Sequence, residues 1–259
     1  MHFFVHLLFS PPSSFVKGAI TTVYLAVISQ TLGVALGLAL ALCRRSTRMP
    51  LRTFAGGYIW LVRGTPLLVQ LVLVYDGLST LGVYSFPNFN LLGLSVPGVV
   101  QAGILTLSLN EGAYMAEIMR AAIDSVDRGQ AEAAESLGMR RRQAMRHVVL
   151  PQAMRIVIPP LGNEFNNMLK ITSLLSVIGL QELFLAAQDY NSATFKTFQI
   201  FIVTAIYYIV MTTVWALIQS AIERRLEARG GDIVERVPLR ARLFGGGGLI
   251  AVEQLRGGR

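Results

Sequence analysis

Residues 132–151 read EAAESLGMRRRQAMRHVVLP. This polar, arginine-rich stretch interrupts two long apolar segments. It joins a short Ala/Glu run to a glycine, a basic run and a proline. A chain that only spans a membrane has little use for such an insert, whereas one that grips a soluble partner does. Asp127 and Gln130 stand at D-x-x-Q spacing, the pattern of a capping box at a helix start. Residues 130–137 are strong helix formers, and Gly138 is placed to end that helix and turn the chain. Residues 139–150 then form a second helix. Pro151 suits the first turn of the next one, where its missing N–H costs nothing.

The surroundings decide what the insert interrupts. The chain has 259 residues, of which 53% are hydrophobic and only 15% charged, with a mean hydropathy of +0.53. Soluble domains carry about a quarter charged residues, so the balance points to an integral membrane protein. Between Lys17 and Arg44 lie 26 residues without a charge, and another 26 separate Lys196 from Glu223. About 20 residues cross a bilayer core. Further spans are expected near 54–75 (with Arg63), 96–119 (with Glu111 and Glu117) and 155–180 (with Glu164 and Lys170). The expected fold class is therefore an all-α membrane protein of about five transmembrane helices.

Arginine placement sets the expected direction. Nineteen of the 23 basic residues follow the first, third and fifth spans, and the loop SFPNFNLLGLSVP after the second has none. The positive-inside rule then places the N-terminus outside, with the C-terminus and the insert in the cytosol. The net charge of +8 reflects this asymmetry rather than a nucleic-acid surface. The expected layout is an external segment 1–17, a transmembrane domain 18–228 with its cytosolic loop at about 124–152, and a flexible basic tail 229–259. The single Cys43 forms no intrachain disulfide, and His2, His6 and His147 lack metal-type spacing. No removable leader is expected, since residues 1–16 lack a basic start and an A-x-A-like site. Gly33 and Gly37 form a GxxxG that reads as ordinary close packing.

The insert resembles the EAA motif of ATP-binding-cassette (ABC) importer permeases. Glu132, Ala133, Ala134 and Gly138 match, as do Leu150 and Pro151, while Val148 replaces an isoleucine. Residues 63–66 (RGTP), Ala113-Tyr114, Ala116-Glu117-Ile118, Arg120, Gly129-Gln130, 162–165 (GNEF), Lys170 and 172–174 (TSL) are similar to the polar amino acid branch of that family. The likeness covers about 18–228. It implies a type I ABC importer permease fold with a cytosolic coupling helix, in a bacterial cytoplasmic membrane. It also implies that Glu132, Ala133, Ala134, Gly138 and Arg140 couple to an ABC ATPase dimer. A second permease, the same or homologous, and an extracytoplasmic solute-binding protein complete the assembly. No G-x-x-x-x-G-K-[ST] loop occurs around Lys17, Lys170 or Lys196. The chain is thus not expected to be an enzyme or to hold a cofactor, and ATP and Mg fall to the partner ATPase.

Ionisable groups in lipid usually face a bundle interior or a pathway. Asn163, Asn167, Lys170 and Ser173 share one helical face, and Asn110, Tyr114 and Glu117 share another, with Glu111 beside it. Arg63 and Gln70 are seven apart. Pro159, Pro160 and Gly162 are expected to loosen the start of the fourth span. The substrate-path candidates are Glu111, Tyr114, Asn163, Glu164, Asn167, Lys170 and Arg63. Mutual pairing that holds the bundle together is the alternative role for these groups, and the favoured one for Glu117 and Arg120. The expected cargo is a polar or charged amino acid. The alternatives are an ABC permease for another small solute, and an ATP-independent channel.

Overall fold

The computed structural model describes residues 2–91 and 93–227, and the chain there is almost wholly helical. The basic tail expected at 229–259 lies outside the described residues. Helix α1 (His2–Phe9) leads into α2 (Ser13–Arg44), followed by α3 (Met49–Arg63), α4 (Leu67–Val72) and α5 (Leu78–Thr80). A small antiparallel hairpin, β1 (Phe89–Leu91) and β2 (Leu94–Val96), precedes α6 (Gly98–Asp124). The insert supplies α7 (Arg128–Ser136) and α8 (Arg141–Ala144). The chain then continues as α9 (Leu150–Ile171), α10 (Leu183–Thr194) and α11 (Thr197–Glu227).

Side-chain contacts fix the direction of each helix. A Cβ on Gly33 would strike Glu111, one on Gly37 would strike Met115, and one on Gly112 would strike Leu36. Further along, Arg45 pairs with Asp124 at 3.1 Å. Rising numbers on α2 meet rising numbers on α6, so these helices run parallel, and the GxxxG serves their close approach within one chain. Two parallel neighbours require a return crossing between them, which residues 45–97 provide. Helix α9 runs opposite to α6, since Val157 clusters with Met119 and Ala122, and Met168 with Leu107. Helix α11 runs opposite to α9: Trp215 Nε1 donates to the Gly162 carbonyl at 2.7 Å and Gln219 Nε2 to the Pro159 carbonyl at 3.2 Å. Five passes therefore alternate, and the insert lies at the end where α2 and α6 finish.

Two of these passes are not the straight spans the sequence suggests. Among the described residues α2 and α11 alone are long and apolar enough to cross a membrane unaided. The α3 to α5 segment bends by 106° between Arg63 and Leu67, and the Arg141–Ile178 segment meets α10 at 52°. Pro66 explains the first bend, because it lacks the N–H that would continue α3 and disfavours a helical Thr65. Gln70 repairs the break, with its Nε2 donating to the Val62 carbonyl at 2.7 Å and to Thr65 Oγ1 at 2.8 Å. The second bend falls after a 3-10 turn over Thr172–Ile178, where Gly179 adopts φ +78. Glu182, fully buried, then caps α10 by accepting from the Phe184 and Leu185 N–H groups, each at 2.8 Å. Pro159, Pro160 and Gly162, expected to loosen the start of this span, lie inside α9 without breaking it. The helix continues, and the Trp215 and Gln219 side chains occupy carbonyls on its surface.

The N-terminal segment joins the bundle. Leu7 and Phe15 are buried with Leu183, Ile200 and Val203. The expected boundary at residue 17 falls inside α2, which begins at Ser13.

Candidate coupling surface and intramembrane polar face

The Asp127 carboxylate caps α7 by accepting the Gly129 N–H at 2.9 Å. The expected capping box does not form: the Asp127 side chain takes the Gly129 N–H, and the Gln130 N–H bonds the Asp127 backbone carbonyl at 3.0 Å instead. At the other end Gly138 adopts φ +89. Its N–H bonds the Glu135 carbonyl at 2.9 Å, and the Met139 N–H bonds the Ala134 carbonyl at 3.1 Å. This pair of bonds is a Schellman motif, which needs a left-handed residue at its centre. The Arg140 N–H then donates to Gln143 Oε1 at 2.9 Å and starts α8.

The second helix of the insert is continuous with α9. A π-helical turn, Met145–Val149, joins α8 directly to it, with the Leu150 N–H bonded to the Met145 carbonyl. The turn places its extra residue just before Pro151, whose ring would otherwise clash with the preceding turn. Pro151 therefore sits within a continuous rod rather than at a fresh helix start.

Ala134 is buried against the bundle, while Glu132, Ala133, Glu135, Gly138 and Arg140 are exposed. The inner side of α7 rests on a cluster of Val126, Val149 and Ala153. A cavity of about 640 Å³ opens behind α7, lined by Asp124, Asp127, Glu132, Glu135, Arg45 and Arg141 among others. Leu137 is 84% exposed at the tip of the turn, and reading the sequence for motif matches passes over it. Its signal was a single large apolar residue between Ser136 and Gly138.

The intramembrane candidates separate into three settings. Arg63 and Tyr114 come together, the guanidinium 5.2 Å from the ring centroid in a cation–π contact, and both are exposed. Asn163, Asn167 and Lys170 share an exposed face of α9, with Gln219 Nε2 at 3.5 Å from Asn163 Oδ1. Lys170 makes no ion pair among the described residues. Glu111, by contrast, is 3% exposed and accepts from Gln30 Nε2 of α2 at 2.9 Å. Glu164, on α9, is half-buried.

The expected stripe of Asn110, Tyr114 and Glu117 divides. Asn110 is buried and donates to Gln70 Oε1 at 3.0 Å. Glu117 pairs with Arg44 at 3.4 Å and with Arg120 at 2.9 Å, so it holds helix ends together. No group of three or more metal-ligating side chains occurs among the described residues.

Residues 33–228 match the family described as "Binding-protein-dependent transport system inner membrane component", and the chain belongs to it. It is accordingly a transport permease subunit of an ABC importer and not itself an enzyme. The chain is 40% identical over 205 residues to a probable amino-acid permease protein, YxeN, of Bacillus subtilis, covering 79% of this chain and 88% of that one. It is 37% identical over 223 residues to a probable glutamine ABC transporter permease, GlnM, of the same organism, covering 86% and 98%. Among solved structures, an amino acid ABC transporter crystallised with histidines shares 42% identity at TM-score 0.74, covering 82% and 94%. The MetNI methionine transporter shares the fold, at TM-score 0.66 and 17% identity, with 82% of this chain and 96% of that one covered.

Proposed function

We propose that this chain is the permease subunit of an amino acid ABC importer, with α7 as the element that receives motion from a separate ATPase. The observation that carries the coupling role is the exposed tip at Leu137, held by the Gly138 turn on an insert of the family's motif spacing. Glu132, Ala133 and Arg140 surround that tip on the exposed side. The arginines at the ends of α2 and α6 support a cytosolic placement for this end, with the N-terminus outside. ATP and Mg are bound by the partner. Closure of the ATPase dimer presses α7, which rests on the Val126 and Val149 cluster between α6 and the rod leading into α9.

A polar or charged amino acid is the supported cargo class, given the relatives' activities and the polar faces. Tyr114 with Arg63, and Asn163, Asn167 and Lys170 on α9, are exposed polar surface within membrane-spanning helices. Such surface in lipid calls for a cover or a water-filled passage. A second permease copy, the same or homologous, supplies that cover and completes a path. Glu164 contributes a carboxylate to the amino acid's ammonium, while Glu111, bound to Gln30, ties α6 to α2. An external solute-binding protein delivers the substrate.

The test is transport in vesicles containing the permease with its co-purified ATPase. Leu137→Asp should remove the ATPase from the purified complex and abolish ATP-driven uptake, with the fold intact by size exclusion. Full co-purification and normal uptake would overturn the coupling assignment. Glu164→Ala should weaken uptake while leaving assembly unchanged, and loss of assembly instead would give Glu164 a structural role. Substrate flux through vesicles holding this chain without ATP would favour the channel reading.

A further inference from the structure

We propose that a second concavity, at the ends of α2 and α6 and the start of α3, binds the phosphate headgroup of an anionic glycerophospholipid. This cavity has a volume of about 430 Å³ and is lined by Arg44, Arg45, Arg52 and Arg120, with Thr53, Gly56 and Asp124. The four arginines come from three chain segments and converge on one hollow. They face two carboxylates. Arg44 and Arg120 hold Glu117, and Arg45 and Arg120 hold Asp124. Arg52 makes no ion pair among the described residues. Four guanidinium groups against two carboxylates leave surplus positive charge, with Arg52 outside those ion pairs, and guanidinium groups suit bidentate phosphate recognition. Gly56 adds no side chain to the lining, and a Cβ there would meet only an Arg44 terminal nitrogen, at an ordinary contact distance of 3.9 Å.

Topogenic charge alone accounts for arginines near this end, but not for their convergence on one hollow or for the unpaired Arg52. The neighbourhood favours lipid over a soluble anion. Leu42 and Phe54, 60% and 68% exposed, flank the arginines on α2 and α3 and offer apolar surface to acyl chains. Basic pockets between transmembrane helices at the cytosolic face are a recurrent headgroup site. The inference rests on the orientation proposed above, in which this end meets the cytosolic leaflet.

The experiment reconstitutes the intact transporter in phosphatidylcholine nanodiscs with a minor fraction of phosphatidylglycerol, and counts retained lipids by native mass spectrometry. Phosphatidylglycerol should be retained over phosphatidylcholine. Arg52→Gln should lower that retention about fivefold, Arg52→Lys should keep most of it, and Arg225→Gln, an exposed arginine near the end of α11, should leave it unchanged. Equal retention by wild type and Arg52→Gln would overturn the site, as would an equal loss in Arg225→Gln, which would indicate diffuse charge. Displacement of the lipid by inorganic phosphate would make this a free-anion site and end the lipid assignment. ATPase co-purification is scored on the same samples: its loss with lipid retention intact counts against the coupling reading and leaves this one standing.

Discussion

The insert between α6 and α9 and the polar residues within the membrane helices draw on the same residue types set in apolar sequence. They differ in what fixes their geometry. In the insert the shaping contacts are local: Asp127 to Gly129, Gly138 to Glu135, Met139 to Ala134, Arg140 to Gln143. Within the bundle they are remote. Glu111 is held by Gln30, 81 positions away, and Asn110 by Gln70, 40 positions away. Short-range contacts can be read from spacing. Long-range ones need the packing that brings the helices together.

The sharpest way to break this contrast is to attack the remote contacts. Gly37→Leu drives a side chain into Met115 at the parallel α2/α6 seam. Overpacking of this kind costs about 1–3 kcal/mol or more, and the yield of monodisperse protein on size exclusion should collapse. Gly57→Ala is the control, because nothing lies within 4 Å of a Cβ there, and its yield should match wild type. Glu111→Ala comes next, leaving the buried Gln30 amide only the weak Met115 sulfur, at 4.0 Å, as acceptor. An unsatisfied buried polar group costs about 1–3 kcal/mol, so the thermal midpoint should fall, and Glu111→Gln should recover most of it. Equal midpoints for wild type and Glu111→Ala would return Glu111 to the path residues.

Gly138→Val moves the attack to the insert. A left-handed conformation costs an ordinary residue about 1–2 kcal/mol, and at φ +89 the β-branched valine is worse placed. ATP-driven uptake should fall severely while the thermal midpoint of the bundle moves little. A large drop in that midpoint would show that the insert is not locally determined.

These outcomes track what the sequence made legible. Apolar run lengths were enough to place the long helices, because length acts without partners. The Gly138 turn was readable, since a glycine after a helix-forming run has few other uses. The 106° bend after Arg63 was signalled by Pro66, yet hydropathy alone carries a span straight through it. The π turn before Pro151 was missed because a proline fits a helix start and a widened turn equally well. The split of Asn110, Tyr114 and Glu117 was hidden for a different reason. Helical periodicity places residues on a face but does not say whether that face meets Gln70, Arg63 or Arg44. Leu137 matched no motif position, so only its exposure singled it out.

The smallest expected effect gives the finest test of local determination. Asp127→Ala removes the side-chain acceptor for the Gly129 N–H. Loss of such a cap costs about 1 kcal/mol, enough to raise the open fraction of a short helix about fivefold. Helix α7 has nine residues and buries only Ala134, so it has little tertiary packing to offset that loss. Amide exchange should therefore quicken across 128–136 and stay unchanged in α6 and α9, and Asp127→Asn, which keeps the acceptor oxygen, should restore most of the protection. Faster exchange in α6 as well would mean that Ala134 and the Val126 cluster carry strain from the insert into the bundle. In that case α7 is held in shape by its contacts with α6 and the π turn, and its own caps are secondary.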